Sequence, residues 1–351
     1  MIKIILSSFL VTLIYTPFGI FFHKGKGLEN YSLQLIFGLI IVSFYALTLN
    51  FFLPLNIFNN STLIIISIII IFLNRDTFFK REFLFFCLIS TLIIFLLITN
   101  SNVYRPDAGL YHLPYISLLN EEKIIIGNAN LHFRFGHTSI IQYLSAVTNN
   151  IIFGLNGIVF PSALIASAII INFLKNLMNY LKLKKLNFHF FFLLSIFIFI
   201  TYKMNRYSEY GNDAPAHFLM FLLLSEIIKN FKNIKSSEIS NYFILAAYII
   251  MNKIILLTSI LLPFIFFIKK KNLKNLINGK IFFLLFFLLI WSAKNILVSG
   301  CFIYPVKFTC IEKLVWSDTD KLEKIAIENE AWAKGWPEFR VKNSQIKKKE
   351  F

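Results

Sequence analysis

The sequence predicts an all-α polytopic transmembrane protein of about 8–10 membrane spans with polar loops on its outer face. Three observations predict it. Hydrophobic residues make up 57% of the chain and the mean hydropathy is +0.69, above the roughly 45–50% apolar content of soluble domains. Runs such as "STLIIISIIIIFL", "FHFFFLLSIFIFI" and "IFFLLFFLLIW" recur along the chain, and a hydrocarbon core about 30 Å thick needs about 20 such residues per helix. These runs do not alternate polar with apolar positions, which excludes a transmembrane β-barrel.

Taken in order, spans are expected near 2–22, 32–52, 62–74, 83–99, 152–174, 188–203, 214–230 and 281–298. The opening "MIKIILSSFLVTLIYTPFGIFF" has an early lysine and a long apolar run but no small-x-small cleavage site, so it reads as a first span or signal anchor. The run 242–268 is too short for two full spans and must return to the side it left, which predicts a compact hairpin with "MNK" (251–253) at its tip. "HTSIIQYLSAVTNNIIFG" is apolar on one face only, which predicts a segment lying in the interface. From 317 the chain turns charged, with a helical apolar stripe. The expected division is 1–99 as N-terminal spans, 100–298 as a membrane core with an outer loop 100–150, and 299–351 as an outer-face tail.

The net charge is +17, carried by 29 Lys and 6 Arg against 18 acidic residues. The basic residues cluster in "NRDTFFKRE" (74–82), "KNLMNYLKLKK" (175–185), "KNFKNIK" (229–235) and "KKKNLKNLINGK" (269–280), all between apolar runs. That is the pattern of cytoplasmic loops, so the excess is assigned to topology and anionic lipid rather than to nucleic acid. With those loops inside, 100–137, 203–214 and the chain from 299 face outward.

The outward segments hold the chemistry. In "RPDAGLYH", Pro106 stops the preceding helix and Gly109 permits a turn, which puts Asp107 at a helix N-cap with Tyr111 and His112 one turn later. "GNANLHFRFGHTS" sets His132, Arg134 and His137 among aromatic residues between glycines. An arginine fork there suits a phosphate, whether of a substrate or of a lipid headgroup. A zinc site from His112, His132 and His137 lacks any ligand spacing. In "YSEYGNDAPAHF", Glu209 precedes Asp213 and His217, which lie four apart on one helix face, and such groups entering a membrane helix are costly unless they meet a cavity or a partner. Lys253 and Lys294 stand in apolar sequence and either snorkel or neutralise an anionic headgroup. Cys301 and Cys310 share an outward segment where an oxidising compartment permits a disulfide, whereas Cys87 lies inside a span.

The phrases "DAGLYHLP", "GNANLHFRFGHTS", "GNDAPAH" and "SGCFIYPV…TC…W" resemble those of a group of polytopic bacterial membrane proteins, over about residues 100–316. An acidic residue early in an outer loop, just after a span, further resembles the GT-C superfamily of glycosyltransferases (family 39-like). That resemblance implies a GT-C-like helical domain in the bacterial inner (plasma) membrane with its active site on the periplasmic face. The implied reaction is inverting transfer of a sugar from a polyprenyl-phosphate donor to a cell-surface glycan or lipid acceptor. Asp107 would be the general base, with His112 beside it in the catalytic pair. Arg105 and Arg134 would neutralise the leaving phosphate, with Lys253 and His132 behind them. Tyr111, His137, Asp213 and His217 complete the implied substrate-binding set, Asp213 orienting the sugar or holding a divalent cation, magnesium or manganese. A flippase or a polymerase of lipid-linked oligosaccharides is the alternative.

Overall fold

The computed structural model describes residues 1–100, 107–137, 139–202, 210–232, 236–269, 278–318 and 321–328. Among them the only extended pairing is an isolated bridge between Cys301 and Cys310; everything else regular is helical. The helices are α1 (Ile2–Tyr15), α2 (Leu28–Asn50), α3 (Ile57–Leu73), α4 (Arg75–Phe78), α5 (Arg81–Thr99), α6 (Leu113–Glu121), α7 (Ile140–Thr148), α8 (Phe160–Lys182), α9 (Phe188–Tyr202), α10 (Asp213–Asn230), α11 (Ser236–Asn252), α12 (Leu261–Lys269) and α13 (Gly279–Ser299). Residues 321–328 add α14.

Among the described residues, five helical stretches are long and apolar enough to cross a membrane: Ile2–Phe21, Leu28–Asn50, Arg81–Thr99, Leu155–Lys182 and Gly279–Ser299. Ile57–Leu73, Phe188–Tyr202 and Ile254–Phe266 are apolar but shorter. The expected span 214–230 forms as α10, which carries Asp213, Glu226 and Lys229 within its 18 residues. The expected hairpin is present. Helix α11 ends at Asn252, Lys253 is extended (φ −149°, ψ 103°), and a 3₁₀ turn at Ile254–Ile260 leads α12 back against α11.

Two compact units divide the chain: residues 1–123 with 139–288, and residues 124–138 with the chain from 289 onward. In the first, α8 is the central helix. Its long apolar stretch is 94% buried, against 39% for α5, and it packs on α2, α5, α7, α9 and α10. Close helix contact is set by small residues. A Cβ on Gly38 of α2 would stand 2.0 Å from the Tyr15 carbonyl oxygen, and one on Gly19 would stand 1.8 Å from that of Gln34. Hydroxyls then link the helices. Ser90 of α5 meets Ser167 of α8 at 2.9 Å and Thr12 of α1 at 3.4 Å.

The segment 137–154 differs from the expected interfacial element. All nine residues of α7 are buried, the polar ones included. The one-sided pattern holds, but the polar side is satisfied internally: Ser145 donates to the Ile158 carbonyl at 2.8 Å and Thr148 to that of Leu144 at 2.9 Å. A polar stripe with enough protein acceptors needs no water, so α7 enters the bundle against α2, α6 and α8.

The second unit has a small core of Ala129, Val298, Cys301, Tyr304, Leu322 and Ile325, with Ile124, Phe133 and Cys310 against it. Cys301 and Cys310 are joined by a disulfide, and Cys87 is buried in the first unit.

Candidate functional site

In the first unit, one network joins residues from four distant phrases of the sequence. A π-helical turn, Ala108–His112, opens the helix that continues as α6. Pro114 has no N–H to close a regular turn behind it, and a widened turn absorbs that loss. Asp107 stands at the head of this turn with helical dihedrals (φ −62°, ψ −28°), makes no capping bond, and is exposed. The expected N-cap role is therefore not taken, because a residue already in helical conformation aims its side chain away from the first amides.

At the other end of the turn His112 is buried, and its tautomer follows from its partners. Ser139 N–H donates to Gln142 Oε1 at 3.0 Å, which closes a capping box at the start of α7. That fixes the Gln142 amide, so Nε2 is the atom that donates to His112 Nδ1 at 3.0 Å. An accepting Nδ1 leaves the proton on Nε2, and the neutral ring is a donor rather than a base. His112 Nε2 faces Gly211 of the "GNDAPAH" phrase, where a Cβ would lie only 3.9 Å away.

Asn252, at the hairpin break, ties the remaining strands of the network. Its Oδ1 accepts from Ser139 Oγ at 3.1 Å, its carbonyl accepts from Asn212 Nδ2 at 2.7 Å, and its Nδ2 donates to the Tyr248 carbonyl at 2.8 Å. Tyr248 and Ser43 share a 2.8 Å hydrogen bond, which carries the chain of contacts to α2. Next to Asn252, Lys253 forms an ion pair with Asp213, the first residue of α10. His217, one turn along α10, is exposed. Tyr111 packs its ring 4.2 Å from that of His112.

Of the predicted residues, Asp107, Tyr111, His112, Asp213, His217 and Lys253 thus belong to the first unit. Neither expectation for Lys253, snorkelling or headgroup neutralisation, anticipated a carboxylate partner. The pairing also bears on the expected divalent cation, because the ammonium repels a metal from the Asp213 carboxylate. Among the described residues no three histidine, cysteine or acidic side chains converge as metal ligands. Sequence reasoning passed over Ser139, Gln142, Asn212 and Asn252, although each adjoins or lies within a quoted phrase. Arg105 and Glu209 lie outside the described residues.

His132, Arg134 and His137 belong to the second unit. Gly127 has φ +70°, its N–H donates to the Leu297 carbonyl at 2.8 Å, and a Cβ there would press on Trp316 at 2.9 Å. Gly136 lies against the ring of Tyr304, 2.6 Å from the position of a Cβ. The two glycines therefore seat "GNANLHFRFGH" on the "SGCFIYPV…TC…W" segment. The Arg134 guanidinium lies over the Phe133 ring, 5.1 Å from its centre, and the Arg134 N–H donates to His132 Nδ1 at 3.3 Å. His137 packs edge-on to Tyr304 at 4.9 Å. Burial, with the Arg134 charge adding to it, lowers the His137 pKa from 6.5 to about 4, so this imidazole is neutral at pH 7. Burial also pushes the Tyr304 phenol up to about 12. Lys294 is 1% exposed, with its ammonium 5.9 Å from the centre of the Trp291 ring, so it does not snorkel as one expectation had it.

Neither the curated proteins nor the solved structures contain a match to this chain. The sequence does match one family, described as a domain of unknown function (DUF8201), over residues 1–349. A match across nearly the whole length, spanning both units and every phrase of the network, means that the chain belongs to the DUF8201 family.

Proposed function

We propose that the protein is an inner-membrane glycosyltransferase of GT-C-like fold, with about 8–10 spans and its site on the outer face. It would transfer a sugar from a polyprenyl-phosphate donor to a glycan or lipid acceptor. One observation carries the reading. An exposed carboxylate, Asp107, heads a π turn whose other end is locked by a buried hydrogen-bond network, which adjoins a half-buried lysine paired with the exposed Asp213. π turns recur at functional sites because they re-aim side chains at some cost in helix stability.

In this reading Asp107 takes the proton of the acceptor hydroxyl as its oxygen forms a bond to the anomeric carbon. The bond from that carbon to the phosphate oxygen breaks, and the electron pair leaves with polyprenyl phosphate, inverting the centre. A placed base contributes about 10²–10⁴-fold. Lys253 meets the phosphate charge while Asp213 holds the ammonium in place. His112, held in its Nε2–H tautomer by Gln142, takes no proton.

The test compares wild type with Asp107→Asn in membranes given radiolabelled polyprenyl-phosphate sugars and a glycan or lipid extract. The variant must insert and accumulate normally. Label transfer by the wild type that falls by about 10²-fold or more in Asp107→Asn is the expected outcome. Undiminished transfer removes Asp107 from the chemistry, and no transfer by wild type with any donor refutes the enzyme reading.

A further inference from the structure

In the first unit a cleft of 40 Å³ opens between α1, the first two turns of α3 and residues 147–153, sharing no residue with the network around His112. Its walls are mostly apolar, formed by Val11, Tyr15, Leu63, Val147 and Phe153, with Asn60, Ser61 and Asn150 set among them. Asn60 is 7% exposed, and neither its Oδ1 nor its Nδ2 has a hydrogen-bond partner among the described residues.

Its neighbours are satisfied. Asn56 Oδ1 caps α3 by accepting the Asn59 N–H at 3.0 Å, and Asn59 Nδ2 donates to the Pro54 carbonyl at 2.7 Å. Across the cleft, Asn150 Oδ1 accepts the N–H groups of Ile152 and Phe153 at 3.0 and 3.1 Å. A carboxamide with both ends unanswered is costly in a low-dielectric surround, and a leucine would fill the same space without that cost. The side chain therefore points to a ligand that answers it.

Size and depth narrow the ligand. A space of 40 Å³ is about three times the ~10–15 Å³ that one water needs in a cavity, so it admits the polar end of one chain and is small for a sugar ring or a two-chain headgroup. The outer surface of α3 beside it is apolar and exposed at Ile64, Ile65 and Ile68, where the rest of a hydrocarbon chain can lie. Lys3 of α1 reaches the Ile151 carbonyl at 3.5 Å, and Val11 stands eight residues further along α1. At the helical rise that is about 12 Å, which suits an interfacial group dipping into one leaflet.

We propose that this cleft binds a single-chain lipid whose polar end presents a donor and an acceptor side by side, as the two hydroxyls of a monoacylglycerol do, paired with the Asn60 carboxamide. An ester carbonyl only accepts and leaves Oδ1 unanswered. The proposal is independent of the transferase reading.

The test uses the full-length protein in lauryldimethylamine oxide, which has no hydroxyl. The unfolding midpoint is followed against added 1-monoolein or methyl oleate. Monoolein raises the midpoint saturably, and methyl oleate acts roughly tenfold more weakly, the difference one lost hydrogen bond makes. Asn60→Leu folds and responds equally to both lipids. Ile64→Trp, at the exposed lip, blocks the cleft and abolishes the monoolein response. Equal responses in the wild type, a preference that survives in Asn60→Leu, or no saturable response at all would each overturn the proposal, the last marking a cleft that holds only water.

Discussion

At the scale of single residues, the hydrogen-bond partner of a histidine decides what the histidine can do. Gln142 holds His112 as an Nε2–H donor, because its own oxygen is already taken by the Ser139 amide. Gln142→Leu is therefore expected to lower the transfer rate by about tenfold or more, with little change in KM, since the ring loses its orientation and not its presence. Single-turnover kinetics would check this. His137 gives a second prediction. Its folded-state pKa, about 4, lies below the ordinary 6.5, so the unfolded chain takes up the proton first. Its contribution is full above pH 6.5 and is lost as pH falls toward 4. The loss should be about 1–3 kcal/mol, visible as a falling unfolding midpoint that flattens in His137→Phe. The sequence singled out His112 and His137 by their place in polar phrases between apolar runs. It gave no access to their protonation, which depends on burial and on partners such as Gln142, 30 residues from His112.

At the scale of elements, backbone contact between helices is the main constraint. Gly38→Ala drives a methyl group onto the Tyr15 carbonyl oxygen, a backbone atom that cannot swing away. The expected cost is about 1–3 kcal/mol in detergent unfolding. Gly279→Ala, at the start of α13 with nothing within 4 Å, is the control and should be neutral or slightly stabilising. Helix α7 shows why one-sided polarity misleads in a greasy chain. The same pattern that marks an interfacial helix also marks a buried helix whose polar side faces protein acceptors. Only the positions of Ile158, Asn252 and His112 separate the two. The hairpin at 251–253 was legible because a run of that length has no other way to return.

At the scale of the molecule, the helix ends of the first unit sort by sequence position. At one end Lys280 donates to the Phe22 carbonyl and to Asn241, Lys229 pairs with Glu29, and Tyr31 reaches the Thr77 carbonyl. Thr77, Lys229 and Lys280 lie in the basic clusters. Asp213 and Asn252, which pair with or adjoin the His112 network, lie at the other ends of α10 and α11. Labelling with a membrane-impermeant maleimide should therefore modify Asp107→Cys from outside intact cells, and Lys24→Cys only after permeabilisation, in a Cys87→Ser background. Labelling of Lys24→Cys in intact cells would reverse the proposed orientation. The Cys301–Cys310 bond closes a short loop in the second unit. Reducing it should lower that unit's stability by about 2–4 kcal/mol, seen as a lower protease threshold for the region around 300–318.

The sequence by itself determined the helical class, the order of the apolar segments, the hairpin and the phrases that carry the polar groups. These follow from transfer free energy and chain length, which are local properties that add along the chain. The tertiary structure decided which phrases meet. It set "DAGLYH", "SIIQ", "GND" and "MNK" in one unit, and "GNANLHFRFGH" with the disulfide segment in the other. It also decided that Lys253 faces Asp213 and that Asn60 is buried without a partner among the described residues. Such facts depend on which helix faces pack together, and that packing is fixed by glycine contacts and hydroxyl pairs between residues far apart in the chain, where no local pattern reports them.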